Sequence, residues 1–210
     1  MRNTYSLILL GIALVGAMSF DTNKIHESKK GYDIGDTVED FKLKDTDDQW
    51  VSLNAYKKEK GVIVVFTCNT CPYAKMYENR IIELNRKYSS KGFPLLAINP
   101  NDILKKPLDG IVEMKKVAHE KGYDFPYLKD PNQQIATKFG ATKTPHVYVL
   151  SNKDDKLVVE FIGAIDNNHA DEGGVTKRYV EDAVDSLIDG KEVKTKEVKA
   201  IGCTIKWTES

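Results

Sequence analysis

The stretch GVIVVFTCNTCPYAK, Gly61 to Lys75, decides the architecture of this chain. Its first half is a continuous β-branched run, the pattern of a strand buried on both faces. From Cys71 to about Tyr88 the apolar residues Ala74, Tyr77, Ile81, Leu84 and Tyr88 recur at three- and four-residue steps, which predicts a helix. Cys68 and Cys71, two of the chain's 3 cysteines, stand at that strand-to-helix junction in a C-x-x-C spacing. Three chemistries compete for such a pair: a redox couple, half of a metal site, or a structural staple. A helix start has unpaired N–H groups and the positive end of the helix dipole, and both favour a thiolate over a thiol. A thiolate attacks a disulfide, and a second cysteine one turn away resolves the mixed disulfide, so the placement favours the redox couple. The residues alone leave open which cysteine attacks; exposure ahead of the helix favours Cys68.

Outward from this junction the pattern continues to alternate. FKLKDTDDQWVSL predicts a hairpin with Phe41 and Leu43 on one arm, Val51 and Leu53 on the other, and an acidic turn at Asp45–Asp48. FPLLAINP is a second buried strand ended by Pro100, followed by a polar loop, NDILKKPLDG. IVEMKKVAHEKG predicts an amphipathic helix closed by Gly122, and PNQQIATKFG a short helix with Pro131 near its start and Gly140 at its end. HVYVL and KLVVEFIG form a hairpin around SNKDD, and a last helix is expected from Val175 to Ile188. Strand–helix alternation followed by a hairpin and a helix implies an α/β/α sandwich with a mixed central sheet and an N-terminal β-hairpin. Thr144-Pro145 lies directly before the HVYVL strand, where an X-Pro bond can be cis; in this topology that loop faces the cysteines. In the tail, Ile201, Ile205 and Trp207 share strand parity with Cys203, which predicts a docked tail with Cys203 on its buried face.

The N-terminus has its own logic. Arg2 precedes an apolar run from Leu7 to about Ala17, and small residues follow, the pattern of a secretory signal or uncleaved anchor over residues 1–19. Residues 20–34 read as a polar linker and residues 35–210 as the folded domain with its C-terminal tail. Export places that domain in a periplasmic or extracellular setting where disulfides persist, with membrane contact only through an uncleaved signal. Lys plus Arg and Asp plus Glu both number 31, so the net charge is zero and nothing suggests a nucleic-acid partner. An odd cysteine count leaves at least one thiol unpaired within the chain.

The sequence resembles the thioredoxin-fold redoxins, and within them the peroxiredoxin-like alkyl hydroperoxide reductase/thiol-specific antioxidant group. GDTVEDFKLKDTDDQWVSL is similar to the redoxin hairpin, VVFTCNTCPYA to the active-site strand and loop, and ATKTPHVYVL to the cis-proline segment. FIGAIDNNH and IGCTIKW are similar to one peroxiredoxin-like subgroup. The resemblance implies a thiol–disulfide oxidoreductase in which Cys68 is the nucleophile, Cys71 the resolving cysteine and Pro145 the cis-proline beside them. It implies protein or small-molecule thiols and disulfides as substrates, peroxide as a further candidate, and no organic cofactor. Two departures stand out. The family pattern P-x-x-x-T-x-x-C is not reproduced, because Val65 lies three before Cys68, Cys68 lies three before Cys71, and the strand holds no proline. The strand also lacks the buried acid that thioredoxins carry, so the proton acceptor is unassigned. Cys203 reads either as an additional redox cysteine or as a small buried hydrophobe. The alternative class is a copper-binding chaperone of the same fold, using Cys68 and Cys71 with His146 and His169.

Overall fold

In the computed structural model, which describes Met1 and residues 31–209, the elements run β1 (Lys42–Asp45), β2 (Trp50–Ser52), β3 (Gly61–Phe66), α1 (Pro72–Tyr88), β4 (Leu95–Asn99), α2 (Ile111–Lys121), β5 (Tyr127–Lys129), α3 (Gln134–Phe139), β6 (Lys143–Thr144), β7 (His146–Lys153), β8 (Lys156–Gly163), α4 (Tyr179–Ile188) and β9 (Cys203–Thr204). Seven strands form one mixed sheet in the order β2-β1-β5-β4-β3-β7-β8, and β6 pairs with β9 apart from it. β3, β4 and β5 run parallel, while β1, β2, β7 and β8 join antiparallel. This is the thioredoxin-like α/β/α sandwich with the expected N-terminal hairpin. The stretch read as a signal or anchor and the linker as far as Lys30 lie outside the described residues.

β3 lies in the interior of the sheet, between β4 and β7, because every one of its side chains is apolar or absent. Ile63 and Val65 face a core built with α1, α2 and α4; Val62, Val64 and Phe66 face the opposite core, which is closed by α3 and the N-terminal segment. All six residues are buried, as a strand sandwiched between helices requires. α1 buries Ala74, Tyr77, Ile81, Leu84 and Tyr88, the residues its periodicity singles out. Its partners Val180, Ala183 and Val184 come from α4. The N-terminal hairpin holds its register through Asp45, whose Oδ1 accepts the N–H groups of Asp47 and Gln49 at 2.9 and 2.8 Å. Tyr32 and Ile34, at the end of the stretch read as linker, pack on the second core, Tyr32 edge-on to Phe139 at 5.1 Å.

Three local expectations change. β5 has no counterpart among the expected strands, because a three-residue strand beside Pro126 is too short to show a period; it nevertheless joins the hairpin to β4. α4 begins at Tyr179 rather than Val175, since Asn167 Oδ1 takes the N–H groups of Thr176 and Lys177 at 3.0 and 3.1 Å. The alternation at the start of the tail gives no strand: residues 191–199 contain one isolated bridge, Ile162 to Glu197. Among the described residues no helix is long and apolar enough to cross a membrane.

For the site, one register matters most. β7 lies antiparallel to β3 with Phe66 opposite His146, so the segment before β7 runs beside the segment after β3. That register carries Thr144 and Pro145 to the cysteines, and the Thr144–Pro145 peptide bond is cis. β9 then pairs Cys203 with Thr144.

Candidate active site

Three thiols converge here. Cys68 and Cys71 pack with Ala74 in a small cluster, and Cys203 and Tyr73 lie against it. Cys71 is the N-cap of α1, with Pro72 at the first helical position, where its fixed φ and missing N–H suit a helix start. Cys68 sits between β3 and this cap. Its sulfur is 3.3 Å from Thr144 Oγ1, and the Cys71 thiol donates to the Thr144 carbonyl at 3.1 Å. All three cysteines are free thiols.

Exposure was the ground for expecting Cys68 to attack. The structure removes it: Cys68 is 5% exposed and Cys71 3%. It also gives the helix end to Cys71. The Cys68 thiol donates to Cys71, the Cys203 thiol and N–H face the same sulfur, and the Ala74 amide points at it without reaching full cap geometry. These donors, led by Cys68, outweigh burial and hold Cys71 down at about 4. The Thr144 carbonyl opposes them, since it favours the thiol form, but one acceptor stands against several donors and the positive end of a 17-residue helix. Cys68 is pushed up, first by the hydrogen bond it gives to Cys71, then by burial and by the charge of Asp109. Burial, then the hydrogen bond to Cys71, raises Cys203. The three thiols thus differ in direction: Cys71 is lowered, and Cys68 and Cys203 are raised.

Asp109 is a residue that sequence reading missed. It is fully buried, and its Oδ1 accepts the N–H groups of Asn69 and Thr70 at 2.7 and 3.2 Å. Its Oδ2 accepts from Thr70 Oγ1 at 2.8 Å and Asn101 Nδ2 at 2.7 Å. Asn69 also accepts from Tyr127 Oη at 2.8 Å, and Asn99 Nδ2 donates to that hydroxyl at 3.1 Å. The two residues between the cysteines are thus fixed by a carboxylate from the stretch read as a polar loop, NDILKKPLDG. The site's buried acid thus comes from this loop rather than from the strand, and it bonds to the residues between the cysteines, not to a thiol. Its one sequence signal is the cluster of Asn99, Asn101 and Asp109 directly after a buried strand.

The tail docks, but not for the reason parity suggested. Ile205 is buried, whereas Ile201 and Trp207 are 42% and 37% exposed, and Cys203 is half-buried. Backbone bonds hold the tail instead: Ile205 N–H to Thr142 O at 3.1 Å and Asp102 N–H to Lys206 O at 2.9 Å. Gln133 Nε2 adds a bond to Lys206 O at 2.8 Å. Gly202 permits the approach, because a Cβ there would lie 2.2 Å from Thr144 O.

The copper alternative loses its ligand set. His146 is buried beside Tyr148, with Nδ1 accepting the Thr142 N–H at 3.3 Å, and burial lowers it to about 4. His169 rests against the Tyr73 ring with centroids 4.8 Å apart. Among the described residues no group of three or more His, Cys, Asp or Glu side chains is placed to hold a metal ion. The arginines among the described residues are each paired with a carboxylate. Arg80, 6% exposed, pairs with Asp166 at 2.7 Å and donates to Asn168 O at 2.7 Å; Arg86 pairs with Glu83, and Arg178 with Glu181.

Comparison with known proteins bears on the fold and the family. No curated protein matches the chain. Among solved structures, a conserved protein of uncharacterised function from Geobacillus kaustophilus shares 34% identity with a TM-score of 0.79, over 85% of this chain and 94% of that one. A hypothetical protein from Sinorhizobium meliloti 1021 shares 30% identity with a TM-score of 0.78, over 86% of this chain and 97% of that one. A peroxidoxin from Mycobacterium tuberculosis, at 18% identity and a TM-score of 0.50 over 75% of this chain and 92% of that one, shares the fold. The AhpC/TSA family model matches residues 34–160, from the N-terminal segment through most of β8 and over more than half of the chain, and the chain belongs to the AhpC/TSA family.

Proposed function

We propose that the protein is a thiol–disulfide oxidoreductase that works through Cys71, with Cys68 as its resolving partner. One observation carries the reading: Cys71 is the N-cap residue of α1 and sits in one cluster with Cys68 and Cys203, where the neighbouring thiols and the helix end favour its thiolate. The thiolate attacks one sulfur of a substrate disulfide and the other leaves as a thiol. Cys68 then attacks Cys71 Sγ and releases the reduced substrate, leaving Cys68–Cys71 oxidised. Cys68 becomes the better nucleophile at that moment, because the mixed disulfide removes the negative charge that holds its proton. Pro145 follows Thr144, whose hydroxyl and carbonyl meet the two sulfurs.

A thiolate held at low pH stabilises the reduced pair, which makes the disulfide an oxidant, so the favoured direction is the reverse of these steps. A substrate thiolate attacks Cys71 Sγ and Cys68 leaves as a thiol. A second substrate thiolate then attacks the substrate sulfur of the mixed disulfide, which releases Cys71 as the thiolate and the substrate as a disulfide. The expected reduction potential lies nearer about −120 mV than about −270 mV. Equilibration with glutathione buffers measures it. Cys71→Ser should abolish exchange, and retained exchange in that variant would overturn the assignment. Peroxide is the weaker reading of the same thiolate, because the arginines able to polarise an O–O bond pair with carboxylates. The apolar run after Arg2 supports export to a periplasmic or extracellular setting, where N-terminal sequencing of the mature chain would find or exclude cleavage near Ser19.

A further inference from the structure

Cys71 has two thiol neighbours, and they differ in access. Cys68 is buried and in contact with Thr144 Oγ1 at 3.3 Å. Cys203 lies against the same cluster, half-buried, on a tail that the β6–β9 pairing holds beside Thr144. Thr144 connects the three: its hydroxyl meets Cys68, its carbonyl meets Cys71, and its backbone pairs with Cys203.

We propose that Cys203 is a second resolving thiol, so that oxidation can end as a Cys71–Cys203 disulfide on the accessible side of the site. The proposal rests on Cys71 being the exchange nucleophile. In the first step Cys71 Sγ attacks a substrate disulfide, and one substrate sulfur leaves as a thiol. Cys203, after loss of its proton to solvent, attacks Cys71 Sγ, and the second substrate sulfur leaves and takes up a proton. The substrate gains two electrons and the Cys71–Cys203 pair loses them. The same attack on a Cys68–Cys71 disulfide needs no outside oxidant: the Cys203–Cys71 bond forms, the Cys68–Cys71 bond breaks, and Cys68 takes the proton that Cys203 gave up. The result is a relay. Cys68 stores the oxidised state inside the protein, and Cys203 offers it to a reductant thiol that has no path to Cys68. A bridge needs Cα atoms within about 7 Å, which neighbouring sheet and helix-cap positions in direct contact allow.

Glutathione disulfide and peptide mapping without reductant test this on the full chain. Cys68→Ala is expected to form Cys71–Cys203 and to release both glutathione equivalents as thiol. Cys68→Ala with Cys203→Ala is expected to retain one glutathione on Cys71. If Cys68→Ala alone keeps the glutathione adduct while Cys203 stays free, the second resolving thiol is wrong and Cys71 remains the nucleophile. If the double variant takes no glutathione at Cys71, the underlying reading fails as well. Should Cys68→Ala not fold, wild type poised in glutathione buffers gives the same answer. Both disulfides are expected there by mapping, and Cys68–Cys71 alone would overturn the proposal.

Discussion

At the scale of single residues, the site separates three identical thiols by hydrogen bonding, burial and nearby charge. Cys71 sits where donors converge; Cys68 and Cys203 supply two of them and keep their own protons. The order of reactivity therefore depends on the Cys68 proton. Iodoacetamide modification of Cys71 in the reduced protein should follow a single titration with a midpoint at about 4. Cys68→Ala removes the leading donor, and the midpoint should rise by about one unit or more, roughly 1.4 kcal/mol of lost thiolate stabilisation per unit. An unchanged profile, read by mass mapping of the labelled peptide, would mean that the helix end alone sets the reactivity. Asp109 works one layer further out. Asp109→Asn keeps the shape but turns one acceptor oxygen into a donor facing the donors it used to satisfy. A loss of about 1–3 kcal/mol in urea unfolding is expected. The C-x-x-C pair was legible in the sequence because spacing and position are local. Asp109 was not, because its meaning arises from contacts with residues about 40 positions away.

At the scale of elements, long periodic segments were legible and short ones were not. β3 and α1 declare themselves by a continuous apolar run and by a repeat over five buried positions. β5, β6 and β9 have two or three residues each, fewer than any period needs. The tail shows the consequence. Strand parity puts Ile201 and Trp207 inside, yet both are exposed, because a two-residue strand imposes no face on its neighbours. The docking comes from a glycine and from backbone pairing. Gly202→Ala would place a Cβ 2.2 Å from Thr144 O, and backbone cannot yield there as a flexible side chain could. The tail should then detach. Cys203 should become as reactive to alkylation as a thiol in a peptide, and exposing Ile205 should cost about 1.5–3 kcal/mol. Alkylation kinetics followed by mass spectrometry measure the first effect, and chemical denaturation the second. If Cys203 in Gly202→Ala reacts at the wild-type rate, β9 does not hold the tail.

At the scale of the whole molecule, the same sandwich that positions the thiols makes stability depend on pH and on redox state. His146, buried among the aromatic residues of the second core face, is lowered from 6.5 to about 4. Between those values the unfolded chain binds a proton that the native chain does not, so stability falls as pH drops from 6.5 toward 4. Protonation would also end the acceptor role of Nδ1 toward Thr142. Cys71, lowered from 9.0 to about 4, adds a wider window of the same sign: its contribution is fully present above 9 and is lost progressively as pH falls to 4. Above 9 the trend reverses, because Cys68 and Cys203, both raised, keep protons that the unfolded chain releases. Asp130, raised by burial at the start of α3, opposes the fall only at its acid end. Oxidation removes Cys68 and Cys71 from this balance and leaves the histidine, with Cys203 acting only above 9. The urea midpoint of the reduced protein should therefore rise steadily from pH 5 to 8, while that of the oxidised protein should level off above about 6.5. His146→Gln should flatten the acid limb in both forms. Parallel pH slopes in the reduced and oxidised proteins would show that no thiolate is stabilised by folding, and would remove the energetic basis for an oxidising disulfide at Cys71.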